Sequence, residues 1–156
     1  MRIRAHLVAP LGLALMLQAC ASGGHRQQQE EIPAGWPVAP TKVVVTAEFG
    51  VPRGSSRHEG IDLAAPAGTP VWATADGRVV SAGKDGRYGK TVVVDHGSGF
   101  RTRYAHLKKI ETKQGKRVER GNTIGRVGKS GNASGPHLHY EVLRNGVPVN
   151  PRVYLD

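Results

Sequence analysis

Glycine falls at short intervals along this chain and leaves little room for any helix. From Trp36 onward the sequence is a series of short runs rich in β-branched and aromatic residues: Val43–Val45, Pro70–Ala73, Arg78–Val80, Thr91–Val94, Phe100–Tyr104, Thr123–Val127 and Leu138–Leu143. Turn formers divide them, among them Asp76-Gly77, Asp85-Gly86, Gly97-Ser98-Gly99, Gly121-Asn122 and Asn145-Gly146. Glycine makes up 21 of 156 residues, well above the usual ~7%. No segment sustains a 3.6-residue apolar period, and His106 to Glu111 could form one helical turn at most. The expected fold is all-β: antiparallel sheets forming an open sandwich or barrel-like domain with little helix. An internal echo is also present. Gly68-x-x-Val71 followed by Gly77-Arg78-Val79 resembles Gly115-x-x-Val118 followed by Gly125-Arg126-Val127. It is read as two similar hairpin units in one sheet system.

The first 19 residues belong to a different class of sequence. Arg2 and Arg4 precede an apolar stretch from Leu7 to Leu17, and Gln18-Ala19-Cys20-Ala21 follows. That stretch is too short to span a bilayer, which takes about 20 residues. The pattern is that of a secretory signal. Leu17-Gln18-Ala19-Cys20 resembles a bacterial lipobox, so residues 1–19 are expected to be removed and Cys20 lipidated. The alternative is cleavage after Ala21 to release a soluble secreted protein. A lone cysteine offers no intramolecular disulfide, and lipidation gives it a purpose. Residues 20–33 carry almost nothing to bury and read as a flexible tether of roughly 20 Å, with His25 an incidental part of it. Residues 34–156 form the folded domain. The expected location is the cell envelope, on the outer membrane facing the periplasm if the host has two membranes. Removing the signal takes the 22 basic side chains to 20, against 12 acidic. Such a balance favours anionic partners, and export argues against nucleic acid among them.

Two short signatures carry the chemistry: His58-Glu59-Gly60-Ile61-Asp62 and His137-Leu138-His139. A strand points residues i and i+2 to one face, so the two imidazoles of the second signature share a side. Gly60, the Gly54-Ser55-Ser56 run and Pro66 argue against a helix around the first, so a loop running into a short strand is expected, with Asp62 on the strand. A carboxylate, two imidazoles and an open position for water make a catalytic zinc arrangement. Each signature alone has an ordinary structural explanation; together, in a chain with seven histidines, they point to a metal. His106 ends the strand beginning near Phe100 and is a further candidate. Metal hydrolases need a proton acceptor and a donor for the oxyanion, and here the candidates are histidines. His96, beside Asp95 at a turn, is read as structural. The spacing does not say which histidines bind metal and which move protons.

Several segments in one order resemble the lysostaphin-type (LytM-like) zinc peptidases, which are peptidoglycan endopeptidases. They are Phe49-Gly50, His58-x-Gly60-x-Asp62, Ala65-Pro66-x-Gly68-Thr69-Pro70-Val71, Tyr104-Ala105-His106-Leu107, Gly128-x-Ser130-Gly131 and Ser134 through Glu141. The resemblance implies one Zn²⁺ held by His58, Asp62 and His139, with His106 and His137 as catalytic histidines. Glu141 shares a strand face with His137 and His139 and is a candidate to orient a histidine; a solvent-facing carboxylate is the other reading. Gly50, Gly54, Gly131 and Gly135 would let loops frame a groove for an extended peptide. The implied function is cell-wall remodelling by a zinc metalloendopeptidase cutting stem peptides or cross-links. Peptidoglycan and the membrane are the expected partners, with room for cell-division or wall-synthesis proteins.

Two other classes compete. Some proteins resembling this family have lost zinc ligands and activate cell-wall amidases by contact; this chain keeps all five positions. A biotinyl- or lipoyl-carrier domain would fit the echo but lacks a suitably placed hairpin lysine. The sequence leaves open whether glycyl-glycine bridges or D-alanyl-diaminopimelate cross-links are cut.

Overall fold

Residues 32–155 are described by the structure, a computed structural model. The signal, Cys20 and His25 lie outside the described residues, as does most of the tether. At the start of the described residues Arg120 donates to Ile32 O, and Pro33 is buried.

The strands are β1 (Val44–Ala47), β2 (Pro52–Arg53), β3 (Ser56–Arg57), β4 (Ile61–Ala64), β5 (Pro70–Trp72), β6 (Gly77–Asp85) and β7 (Gly89–Gly97). They continue with β8 (Phe100–Ala105), β9 (Lys109–Ile110), β10 (Arg117–Val118), β11 (Thr123–Arg126), β12 (His137–Arg144) and β13 (Val147–Val149). Helix among the described residues is confined to three short 3₁₀ turns, Pro40–Lys42, Gly86–Tyr88 and Pro151–Tyr154. Every strand pairing is antiparallel. An eight-stranded sheet runs β1-β4-β12-β8-β7-β6-β10, with β13 also on β12. A three-stranded sheet runs β5-β11-β9, and β2 and β3 make a small separate hairpin. The fold class is the all-β one expected.

Period-2 alternation sorts the long strands into two faces. Ile61 and Leu63 of β4, Leu138, Tyr140 and Val142 of β12, and Val92 and Val94 of β7 join Val71 and Ile124 of the smaller sheet in one core. Each such side chain contributes about 1.5–3 kcal/mol by leaving water. Because those residues must face inward, their neighbours Asp62, His137, His139 and Glu141 are directed to the opposite face. The core also holds a hydroxyl cluster. Tyr104 and Tyr140 Oη lie 3.1 and 3.0 Å from Thr74 Oγ1, and Thr102 Oγ1 lies 3.0 Å from Tyr104 Oη. His96 belongs here, near the end of β7 rather than at a turn. Its Nδ1 donates to Asp76 O at 2.7 Å, and its Nε2 lies 2.8 Å from Thr102 Oγ1.

The reading of the internal echo is corrected. The echoing segments are not two hairpins in one sheet. β5 pairs with β11 in the smaller sheet while β6 pairs with β10 in the larger, so each unit clasps the other. The hydrogen bonds repeat with the sequence. Gly68 N donates to Val127 O and Gly115 N to Val79 O, both at 2.8 Å; Val127 N donates to Thr69 O and Val79 N to Lys116 O, both at 2.9 Å. The matching valines, Val71, Val79, Val118 and Val127, are all buried, which a local hairpin could not achieve for both copies. The stretch from His106 to Glu111, which had room for one helical turn at most, forms none. Lys108 N and Glu111 N donate to Arg126 O and Ile124 O at 2.9 Å. A single turn would leave its end groups unpaired, whereas the edge of β11 supplies partners.

Strand β6 offers a test of how tightly the sheets close. A β-carbon on Gly77 would lie 2.4 Å from Asp95 O and 2.8 Å from Val94 Cγ1, whereas one on Gly83 would meet nothing within 4 Å. Gly77→Ala is expected to destabilise by about 2 kcal/mol or more, and Gly83→Ala by less than about 0.5 kcal/mol. Urea unfolding of both variants checks the contrast.

Candidate metal centre

The register of three strands builds the site. β12 lies between β4 and β8, which sets His139 opposite Asp62 on one side and Ala105 on the other. His137 is opposite Ala64, and Glu141 is opposite Arg103. His58 arrives from the loop after β3, tied down where His58 N donates to Val51 O and Gly50 N to His58 O, both at 2.9 Å. Gly60 lets that loop lie against β12. A β-carbon there would be 2.3 Å from Tyr140 O and 3.0 Å from His139 Cε1.

Three buried side chains then converge. His58 Nε2 is 3.0 Å from both Asp62 Oδ1 and His139 Nδ1, and His139 Nδ1 is 2.8 Å from Asp62 Oδ1. The remaining ring nitrogens are occupied by groups that only accept. His58 Nδ1 donates to Glu48 O, and His139 Nε2 donates to Glu141 Oε1, both at 2.8 Å. Each imidazole therefore spends its N–H outward and turns a lone pair inward. Two nitrogen lone pairs and a carboxylate oxygen facing one point are a donor set that fits a divalent metal, and their types suit Zn²⁺.

The electrostatics agree. Burial pushes the Asp62 carboxyl up, but the neighbouring His139 and His58 outweigh it and hold the group far below the usual carboxylate range. Burial opposes charge on His139, yet the neighbouring carboxylates of Asp62 and Glu141 raise its pKa above the ordinary value. The cluster favours positive charge at its centre. Arg53 donates to Asp62 Oδ2 at 2.6 Å, which leaves Oδ1 for the metal. Glu141 is fully buried, so the solvent-facing alternative does not apply. Its second oxygen accepts from Arg103 Nη1 at 2.8 Å, and the Arg103 guanidinium stacks 4.6 Å from the centre of the Tyr88 ring.

Two more imidazoles stand beside the cluster. His106 has a left-handed backbone, φ 60°, unusual for a residue other than glycine. It is held there because His106 N donates to Tyr88 O and its Nδ1 to Ser130 O, both at 2.8 Å. Ser130 is itself pinned by Lys90 N, which donates to its Oγ at 2.8 Å. Gly89 and Gly131 allow those two loops to touch backbone to backbone, since a β-carbon on either would lie 2.4 Å from the other loop. His137 Nδ1 donates to Gly135 O at 2.9 Å. The His106 and His137 rings are 4.8 Å apart, and His137 Nε2 lies 3.8 Å from Asp62 Oδ1. Both keep Nε2 free to accept a proton. Burial lowers the pKa of His106, the neighbouring His137 and His139 add to this, and the basic form is favoured.

All five residues singled out at the site, with Glu141, are thus brought into one constellation; Cys20 lies outside the described residues. A cleft of about 250 Å³ opens over it, lined by Arg53, Arg57, Glu59, Arg87, Tyr88 and Asn132 among others. Sequence reasoning did not single out Arg53, Arg103, Tyr88 or a role for Ser130. Strand parity could have found Arg103, two residues before Ala105 and on the same face. The others act across loops whose proximity no local pattern reveals.

Comparison with known proteins follows the same lines. The description "Peptidase family M23" matches residues 56–151. Peptidoglycan DD-endopeptidase ShyA of Vibrio cholerae is 48% identical over 93 residues, which cover 60% of this chain and 22% of that protein. The chain thus spans about a fifth of the length of the curated relatives it matches. A zinc-containing peptidase from Vibrio cholerae superposes with a TM-score of 0.71 at 37% identity, over 77% of this chain and 39% of that one. The catalytic domain of lysostaphin from Staphylococcus simulans superposes with a TM-score of 0.67 at 30% identity, over 72% of this chain and 91% of that one.

The Glu141 carboxyl gives a pH test. Burial raises its pKa, but the hydrogen bond to His139 and the Arg103 charge prevail and the net shift is downward. A depressed carboxyl contributes stability that is present above its unfolded value, about 4.3, and is lost as pH falls through the folded value. In chelator-treated protein, Glu141→Gln is expected to cost about 1–3 kcal/mol at pH 7. The difference from wild type should shrink below pH ~4. Denaturant unfolding at several pH values measures it, and a cost independent of pH would contradict the assignment.

Proposed function

This chain belongs to peptidase family M23, and from that membership and the geometry of the buried cluster we propose a zinc-dependent metalloendopeptidase that hydrolyses peptide bonds in peptidoglycan stem peptides or cross-links. The observation that carries the reading is the division of labour among four imidazoles. His58 and His139 turn lone pairs toward Asp62 Oδ1. His106 and His137 stand beside them with Nδ1 committed to backbone carbonyls and Nε2 free.

In this reading His58, Asp62 and His139 hold the zinc. Bound there, zinc supplies Lewis acidity, lowering the pKa of water and polarising a substrate carbonyl. His106 Nε2 accepts the proton and later returns it to the leaving amine, a role that suits its lowered pKa. His137, beside His106, can hold the carbonyl oxygen as charge develops once its free Nε2 has taken a proton and become a donor. Glu141 and Arg53 orient the ligands, each through one direct hydrogen bond. The substrate class is supported by the name of the ShyA relative and by the cationic character of the domain. The envelope location rests on the N-terminal sequence: a signal over residues 1–19 and a lipid on Cys20.

Three measurements test this. The purified protein should carry about one zinc per chain, and metal analysis after Asp62→Asn or His139→Ala should find it lost. His106→Ala should keep the zinc yet lose about 100-fold or more in peptide release from purified sacculi, followed by mass spectrometry. Unchanged release would rule out the mechanism, and a zinc-free native protein would favour a binding module. Labelling cells with a fatty-acid analogue should mark the wild type and spare Cys20→Ala.

A further inference from the structure

The cleft beside the metal centre has an unequal charge. Arg53, Arg57 and Arg87 line it, and the acidic side chain among its lining residues is Glu59. Glu59 is already engaged: its Oε2 accepts from Tyr88 Oη at 2.8 Å and from Arg87 Nη2 at 3.3 Å. Arg53 is committed to Asp62. The other two guanidiniums are not used up. Arg57 spends Nη1 on Gly50 O at 2.9 Å, and Arg87 spends Nη2 on Glu59 and Tyr88. A guanidinium carries five N–H donors in a planar fork, so each keeps several directed at solvent. Both side chains are exposed, with Arg87 64% accessible. They stand on different walls, Arg57 on the β2–β3 hairpin and Arg87 on the Gly86–Tyr88 turn. Groups placed in this way match a carboxylate, which a guanidinium takes through paired charge-assisted hydrogen bonds.

We infer that this cleft is a carboxylate subsite: the peptide it takes bears a free carboxylate on a residue next to the scissile amide, received by Arg57 and Arg87. Bridges made of glycine alone carry no such group and are poor ligands. This inference rests on the peptidase reading above and narrows its substrate.

The test uses two synthetic branched peptides that model a cross-link and differ only in that carboxylate, free in one and amidated in the other. Affinity for zinc-stripped protein, measured by calorimetry, should favour the free acid by about tenfold or more. The Arg57→Gln/Arg87→Gln double variant should bring the acid to the level of the amide and leave the amide unchanged, and Arg57→Lys should recover part of the preference. Circular dichroism and zinc content at wild-type levels confirm that the variants fold. Equal binding of the two peptides by wild type overturns the subsite, as does a double variant that weakens both alike. The zinc-loaded protein, assayed with the same pair, should show the same preference in kcat/KM. If the acid binds tenfold better but neither peptide is cut, the subsite stands and the peptidase reading fails.

Discussion

The antiparallel register of β4, β12 and β8 is the constraint from which the site follows. Leu63, Leu138 and Tyr140 must enter the core, and a strand alternates strictly, so Asp62, His139 and Glu141 are forced to the other face. Slipping β12 by one residue would turn the histidines into the apolar core and carry Leu138 and Tyr140 to the metal-binding face. The apolar energy of the core therefore fixes where the ligands stand. Asp62 lies opposite His139, and Arg103 opposite Glu141. The same register explains Gly60, whose missing side chain lets the His58 loop lie directly on β12.

A second layer of order is protonic. Each of the four site histidines gives one N–H to a fixed acceptor: Glu48 O, Ser130 O, Gly135 O or Glu141 Oε1. Three of those acceptors are backbone carbonyls, which cannot titrate, so the tautomers of His58, His106 and His137 are set by the fold. His139 depends on a carboxylate, and that carboxylate is kept ionised by the hydrogen bond from His139 itself and by the Arg103 charge. The left-handed backbone of His106 is part of the same device, held by hydrogen bonds from two loops that touch through Gly89 and Gly131. Strain at that residue, of the order of 1 kcal/mol, is offset by those contacts.

Much of the fold was legible because its signals are local. Turn glycines marked the strand ends, and β-branched runs marked the long strands. Short strands were missed: β2, β3, β9, β10 and β13 have only two or three residues, too few for a period to show. The internal echo was visible, but its meaning was not. A hairpin and a mutual clasp present the same sequence, and only partner choice separates them; burial of four valines decided it. At the site, residue types were legible in the two signatures and in the Tyr104–Leu107 and Ser134–Glu141 segments. Arg53, Tyr88 and Ser130 were not, because their partners lie on loops that meet only in three dimensions.

By itself the sequence determined the class of fold, the parity that groups His137 with His139, and a set of side chains chemically suited to zinc. Parity and residue type are properties of the covalent chain, so no partner is needed to read them. Only the tertiary structure decided which nitrogen of each imidazole faces inward, which oxygen of Asp62 is left free, and which arginines remain unspent in the cleft. Those depend on hydrogen-bond partners far away in sequence. The two signatures lie some 80 residues apart, and His58 and His139 meet at 3.0 Å because β4 and β12 pair.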